Sequence, residues 1–106
     1  MRAPRQASPR PTEDADVITA KATIERRRPE LDARLLRTFV TIVDVRSFTR
    51  AGRRLGLSQS AISQQIAAQE RQLGVKLLVR SGTGVRPTPA GELLLHYARQ
   101  ILAKVD

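Results

Sequence analysis

Five short polar side chains, Ser58, Gln59, Ser60, Ser63 and Gln64, fall in a stretch whose apolar positions keep helical spacing. Their chemistry is hydrogen bonding rather than bond making. A glutamine amide donates and accepts in one plane, a hydroxyl does either, and both suit the edges of nucleic-acid bases. In a helix capped by Ser58, the residues Gln59, Ser60, Ser63 and Gln64 share the outward first two turns, opposite Ile62 and Ile66. Free backbone N–H groups at that helix end carry partial positive charge and suit a phosphate. A carboxylate there would repel phosphate, and none occurs before Glu70. The plain alternative is a solvent-compatible surface, so the elements around this stretch decide its meaning.

From Leu31 onward, Leu35, Leu36, Phe39, Val40, Ile42 and Val43 recur at helical intervals and predict an amphipathic helix capped by Asp32. A break near Asp44–Arg46 precedes Ser47, the predicted cap of a short second helix with Phe48, Ala51 and Leu55 inward. Gly56 ends it, and Leu57 is expected to plug the turn. The third helix starts at Ser58, buries Ala61, Ile62, Ile66 and Leu73, and stops at Gly74. This spacing is that of a helix-turn-helix. Val75, Leu77, Leu78 and Val79 then read as a strand and Val85 as its return. Gly82 and Gly84 supply positive φ for a hairpin wing, and Pro87 sits at its edge or end. Thr88 followed by Pro89 reads as a cap and first helical residue. The last helix carries an apolar stripe of Leu94, Ala98, Ile101 and Val105, flanked by Leu93, Tyr97 and Leu102, and reads as a dimerisation or linker helix.

Nineteen Lys and Arg against ten Asp and Glu leave a formal charge of +9. Residues 31–106 hold twelve basic and five acidic groups, or +7, while residues 1–30 hold seven and five, or +2. The foldable part is therefore the basic part, and a polyanion is its natural partner. Enzyme chemistry has little to stand on. Cysteine is absent, the carboxylates lie on separate helices, and the one histidine, His96, cannot alone form a usual metal site. No cofactor is implied. No apolar run approaches a membrane span, and a cytoplasmic protein is expected.

Residues 1–30 carry four prolines and few large apolar groups. They read as a flexible arm with room for a short helical or extended piece around Val17–Ile24. Arg26, Arg27 and Arg28 fit either a solvated linker or contacts to phosphates beside a docked domain. Three units follow: the arm 1–30, a winged helix-turn-helix over 31–87, and a linker or dimerisation helix over 88–106. The fold class is mainly α with a small β-hairpin wing.

The run LLRTFVTIVDVRSFTRAGRRLGLSQSAISQQIAAQERQLGVKLLVRSGTGVRPTPAGELLLHYARQIL closely resembles the N-terminal DNA-binding domain of LysR-type transcriptional regulators. The SFTRA segment, the LSQSAISQQI helix, QLGVKLLVR and PTPAGE all fall in family order without gaps. The resemblance implies sequence-specific binding of double-stranded DNA as a transcription regulator. It places Gln59, Ser60, Ser63 and Gln64 in the major groove and Ser58 and Thr88 near phosphates. It puts Arg80 and Arg86 on the wing, toward the backbone or minor groove, and makes Thr49, Arg50 and Arg53 phosphate contacts. Arg54 and Arg71 read better as surface charge. It also implies a homodimer through the last helix, and in full-length members a tetramer and an effector-binding domain. Winged-helix protein contact and non-specific nucleic-acid binding are the alternatives.

Several positions depart from the family pattern. Ser60 stands where proline is frequent and Pro87 where leucine is preferred, which could shorten the return strand. Gly52 replaces a usual alanine inside the second helix, at about 1 kcal/mol of intrinsic helix stability. Gln69 and Leu78 take positions usual for leucine and phenylalanine, where they could loosen the core. No effector domain follows, and a helix still periodic at Asp106 favours a fragment over a naturally short protein.

Overall fold

The computed structural model describes residues 11–28 and 31–105 of the 106-residue chain. Five helices and one hairpin follow in the order α1 (Pro11–Arg27), α2 (Ala33–Val45), α3 (Phe48–Leu55), α4 (Gln59–Leu73), β1 (Leu78–Ser81), β2 (Gly84–Pro87) and α5 (Pro89–Val105). The predicted mainly α fold with a two-stranded wing is the observed one. Among the described residues no helix is long and apolar enough to cross a membrane.

Local chemistry sets the helix starts. Asp32 Oδ1 accepts from the Arg34 N–H at 2.8 Å, Ser47 Oγ from Arg50 at 3.0 Å, Ser58 Oγ from Ala61 at 3.0 Å and Thr88 Oγ1 from Gly91 at 3.0 Å. Each satisfies one of the donors that the first helical turn leaves unpaired. The ends of α3 and α4 fall on Gly56 and Gly74, both left-handed at φ 72° and 74°. The end of α2 falls instead on Arg46, the one described non-glycine residue with positive φ, at 61°.

The core gathers Leu36, Phe39 and Ile42 of α2, Ala51 of α3, Ile62, Ile66 and Leu73 of α4, and Leu94 and Ala98 of α5. Val75, Leu77, Leu78 and Val85 close it beneath the wing. Three expectations are corrected here. Leu57 is no plug: its side chain is 37% exposed, and the turn is sealed by backbone. The Leu57 N–H donates to the Gly52 carbonyl at 2.8 Å, and a β-carbon on Gly52 would stand 2.5 Å from the Leu57 carbonyl oxygen. The glycine that weakens α3 intrinsically is also what lets the turn close. The strand expected from Val75 begins only at Leu78, because Val75 and Leu77 are buried in the connection instead. Of the two wing glycines only Gly84 takes a positive φ, 118°, where a β-carbon would press on the Arg46 carbonyl. Pro87 ends β2 opposite Leu78, and the strand keeps four residues.

The larger correction concerns the arm. Residues 11–27 form a helix rather than a flexible tail, with Ala20 and Ile24 fully buried and Thr23 nearly so. Its apolar positions are too few to fold alone, but they meet α5 and, to a smaller extent, α4. Residues 1–10 and 29–30 lie outside the described residues.

A single residue joins α4, the wing and α5. The Leu77 N–H donates to Glu70 Oε2 at 2.7 Å, its carbonyl accepts from the Thr88 N–H at 3.0 Å, and its side chain is fully buried. Gly91 packs so closely on this carbonyl that a β-carbon there would collide with it. Gly91→Ala is therefore expected to cost about 1–3 kcal/mol of unfolding free energy, read by urea denaturation. Gln69 points the other way. It is 5% exposed and its Oε1 has no hydrogen-bond partner. Gln69→Leu should raise stability by about 1–2 kcal/mol in the same measurement, and a loss would show that the amide is held after all.

Candidate nucleic-acid interface

The first turns of α3 and α4 and the wing enclose a groove of about 570 Å³. Thr49, Arg50, Gln59 and Arg80 line it, and Arg46, Ser81 and Thr83 complete its polar rim. Both helices present their N-terminal ends here, capped by Ser47 and Ser58. Aligned peptide dipoles make each end partly positive, and three arginines add full charges. No carboxylate is among the lining residues. Such a cleft is arranged for an anion, and for an extended one.

Within it the side chains are held. The Thr49 hydroxyl donates to Gln59 Oε1 at 3.3 Å, which leaves both amide protons of Gln59 uncommitted. The Arg80 guanidinium lies 4.5 Å from the centre of the Phe48 ring. This stacking leaves the guanidinium edge free while fixing its plane. It also ties β1 to the first turn of α3. A second tie runs from the Val85 N–H to the Arg46 carbonyl at 3.2 Å.

The remaining expected residues separate into groups. Ser58, Ser60 and Gln64 are exposed on the same end of α4, while Ser63 is half-buried and faces the side of the wing with Phe48, Ile66, Leu78 and Arg80. Arg53 lies with Arg46, Arg50 and Arg54 around a second concavity at the α2–α3 junction. Its one carboxylate, Asp44, is paired with Arg99 at 3.1 Å. Arg80 and Arg86 part company. The register pairs Arg80 with Val85 and Val79 with Arg86, so the two arginines occupy opposite faces of the hairpin. Arg80 shares the inward face with buried Val85, and Arg86 the outward face with Val79, which is 42% exposed.

The two caps Ser58 and Thr88 also differ. Ser58 Oγ accepts from Ala61 and keeps its proton for an outside acceptor. Thr88 Oγ1 accepts from Gly91 and spends its proton on the Lys76 carbonyl at 2.7 Å. Its role in the fold is therefore occupied, and only a lone pair remains. Arg46 and the Phe48 ring escaped the sequence reading as parts of the site. Arg46 carried no signal beyond its place before the Ser47 cap, and Phe48 read only as core. By sequence Glu70 is a carboxylate beyond the polar face, and its structural role is not legible there. It holds the Leu77 and Leu78 amides at 2.7 and 3.4 Å and lies 3.8 Å from Lys76 Nζ.

On the last helix, the expected pairing residues Leu94, Ala98 and Leu102 are buried inside the chain, and Leu93, Tyr97 and Ile101 are half-buried. The side chain of Val105 lies outside the described residues.

Comparison with known proteins agrees with this architecture. Residues 33–92 match the family model of the bacterial regulatory helix-turn-helix proteins, LysR family. The transcriptional regulator AbaB of Streptomyces antibioticus is 53% identical over 68 residues, covering 64% of this chain and 23% of that protein. The nitrogen assimilation regulatory protein nac of Escherichia coli K12 is 43% identical over 76 residues, covering 72% of this chain and 25% of that protein. The chain thus spans about a quarter of the length of these relatives. Among solved structures, the BenM DNA-binding domain in complex with catB site 1 DNA superposes with a TM-score of 0.68 at 39% identity, over 72% of this chain and 84% of that one. The CbnR DNA-binding domain in its DNA complex gives 0.66 at 37% identity, over 71% and 86%. With its capped helix pair, its wing and this match over more than half its length, the chain belongs to the LysR family of bacterial helix-turn-helix regulatory proteins.

Proposed function

We propose that this domain binds double-stranded DNA sequence-specifically, with α4 in the major groove and the wing beside the backbone. The observation that carries the reading is the carboxylate-free groove where Thr49, Arg50, Gln59 and Arg80 meet two helix N-termini. The BenM and CbnR domains of like fold were solved in complexes with DNA. Gln59, Ser60, Ser63 and Gln64 read base edges, and the free amide protons of Gln59 suit an acceptor such as guanine O6 or thymine O4. Ser58, Thr49, Arg50 and Arg53 hold phosphates. Arg80 works from the groove side of the wing and Arg86 from its outer side. Thr88 contributes by holding α5 to the wing, a smaller part than a phosphate contact.

The activity is binding, with no catalytic step and no cofactor. Relatives about four times as long support a reading in which this domain serves within a larger regulator, with effector sensing and higher assembly assigned to other segments of it. Pairing of two copies through α5 and a cytoplasmic setting complete the reading.

Binding to a duplex selected from genomic fragments, against a scrambled duplex across a salt series, tests it. Arg50→Gln should weaken both duplexes by similar factors and reduce the salt slope by about 0.9. Gln59→Ala should cost about 1–2 kcal/mol on the selected duplex and far less on the scrambled one. Equal losses for Gln59→Ala would remove its assigned base contact, and salt-insensitive or absent binding would remove the proposal. Phe48→Leu takes away the ring under Arg80. It should weaken both duplexes by about two- to fivefold, the worth of one exposed stacking contact.

A further inference from the structure

Helix α1 precedes the residues that match the family model, which start at 33. It packs mainly on α5. Ala20 and Ile24 of α1 are fully buried, as are Leu94 and Ala98 of α5 to within 1%. The Tyr97 hydroxyl donates to Glu25 Oε2 at 3.0 Å, and the Arg28 guanidinium lies 5.6 Å from the Tyr97 ring centre. On the other flank α2 packs against α5, with Arg99 paired to Asp44. Beyond the first turn, the described side chains of α5 that are exposed are His96, Arg99, Gln100, Ala103 and Lys104 with Glu92 before them, a mainly polar face. The stripe that read as a pairing surface is thus in good part covered from within the chain, with Leu94, Ala98 and Leu102 buried and Leu93, Tyr97 and Ile101 half-buried.

We propose that α1 is the in-chain occupant of the α5 pairing face, so that the α5 of a second copy seats there only when α1 has left. The inference rests on the reading that α5 pairs two copies. One observation favours these alternative occupants over a permanently covered face. Helix α1 is itself poor in apolar groups, with Ile18 69% exposed, so its grip on α5 rests on few side chains. The last residue of α1, Arg27, stands close in sequence to the Asp32 cap of α2, which keeps α1 beside α5 at an effective concentration on the order of millimolar. A second copy must therefore compete with a tethered rival. Its apparent affinity falls with the fraction of chains in which α1 is undocked.

Self-association of the full chain, measured by sedimentation equilibrium, provides the test. Ile24→Asp removes the docking contact without touching α5, and the dimer dissociation constant should fall at least about tenfold relative to the wild type. Ile24→Ala should fall between the two, and serves if the charged variant loses its helical circular dichroism. In the opposite direction, Glu25→Cys with Tyr97→Cys places the only two thiols in the chain across the α1–α5 contact. Bridging them with a short bis-maleimide should weaken association below that of the same variant before coupling. Association unchanged by undocking, or unchanged by the bridge, would overturn the proposal. Salt-sensitive binding to duplex DNA, followed in parallel, reports separately on the proposed function: its loss in the wild type would leave the order of association to stand alone.

Discussion

The peptide unit at Leu77 is the constraint on which the rest of the structure depends. Its N–H is held by a carboxylate of α4, its carbonyl by the backbone of the residue that caps α5, and its side chain by the core. A buried backbone group without a partner costs as much as a lost hydrogen bond, so a short connection between helix and wing needs such arrangements. Glu70 supplies one from α4 itself. Because α4, the hairpin and α5 converge on one residue, the wing cannot rotate relative to α4 without breaking several of these contacts together. Gly91 follows from the same geometry, since only a residue lacking a β-carbon lets α5 approach that carbonyl.

The groove inherits its form from this junction. Once β1 leaves Leu78 in a fixed direction, the alternation of the strand puts Arg80 over the Phe48 ring and the return strand puts Arg86 on the far side. The αL turn at Arg46 brings its carbonyl to the Val85 N–H, which binds wing to helix pair from the other edge. Polar groups that face outward, Gln59, Ser60 and Gln64, take no part in these contacts. The chain therefore separates scaffold from display. The outward end of α4 can vary in chemistry at little cost to stability, whereas half-buried Ser63 sits where the two demands meet.

What was legible in the sequence was what is local. Asp32, Ser47, Ser58 and Thr88 act on amides two or three residues away, and all four caps formed as read. The apolar rows of α2 and α4 announced their buried faces by period alone. The sequence was silent where the deciding partner is distant. Leu57 looked like a plug by its type, but the space was taken by a backbone contact to Gly52 that no side-chain pattern encodes. Helix α1 has too weak a stripe to declare itself, because Ala20 and Ile24 find their burial against a helix some seventy residues later. Arg80 and Arg86 looked alike until the register set them apart.

That distant contact alters the energetics of the whole domain. A chain of this size buries a modest share of its surface, and an exposed stripe on α5 would leave it marginal. Covering Ile24 alone contributes about 2–3 kcal/mol relative to leaving it in water, a sizeable part of a small domain's net stability. The same apolar face of α5 cannot be spent twice. Burying it under α1 completes the core of one chain, and burying it against another helix would have to return at least as much before α1 gave way. On the proposed pairing, stability of the single chain and assembly of two would be set by one surface, and the residues of α1 that meet it would govern both.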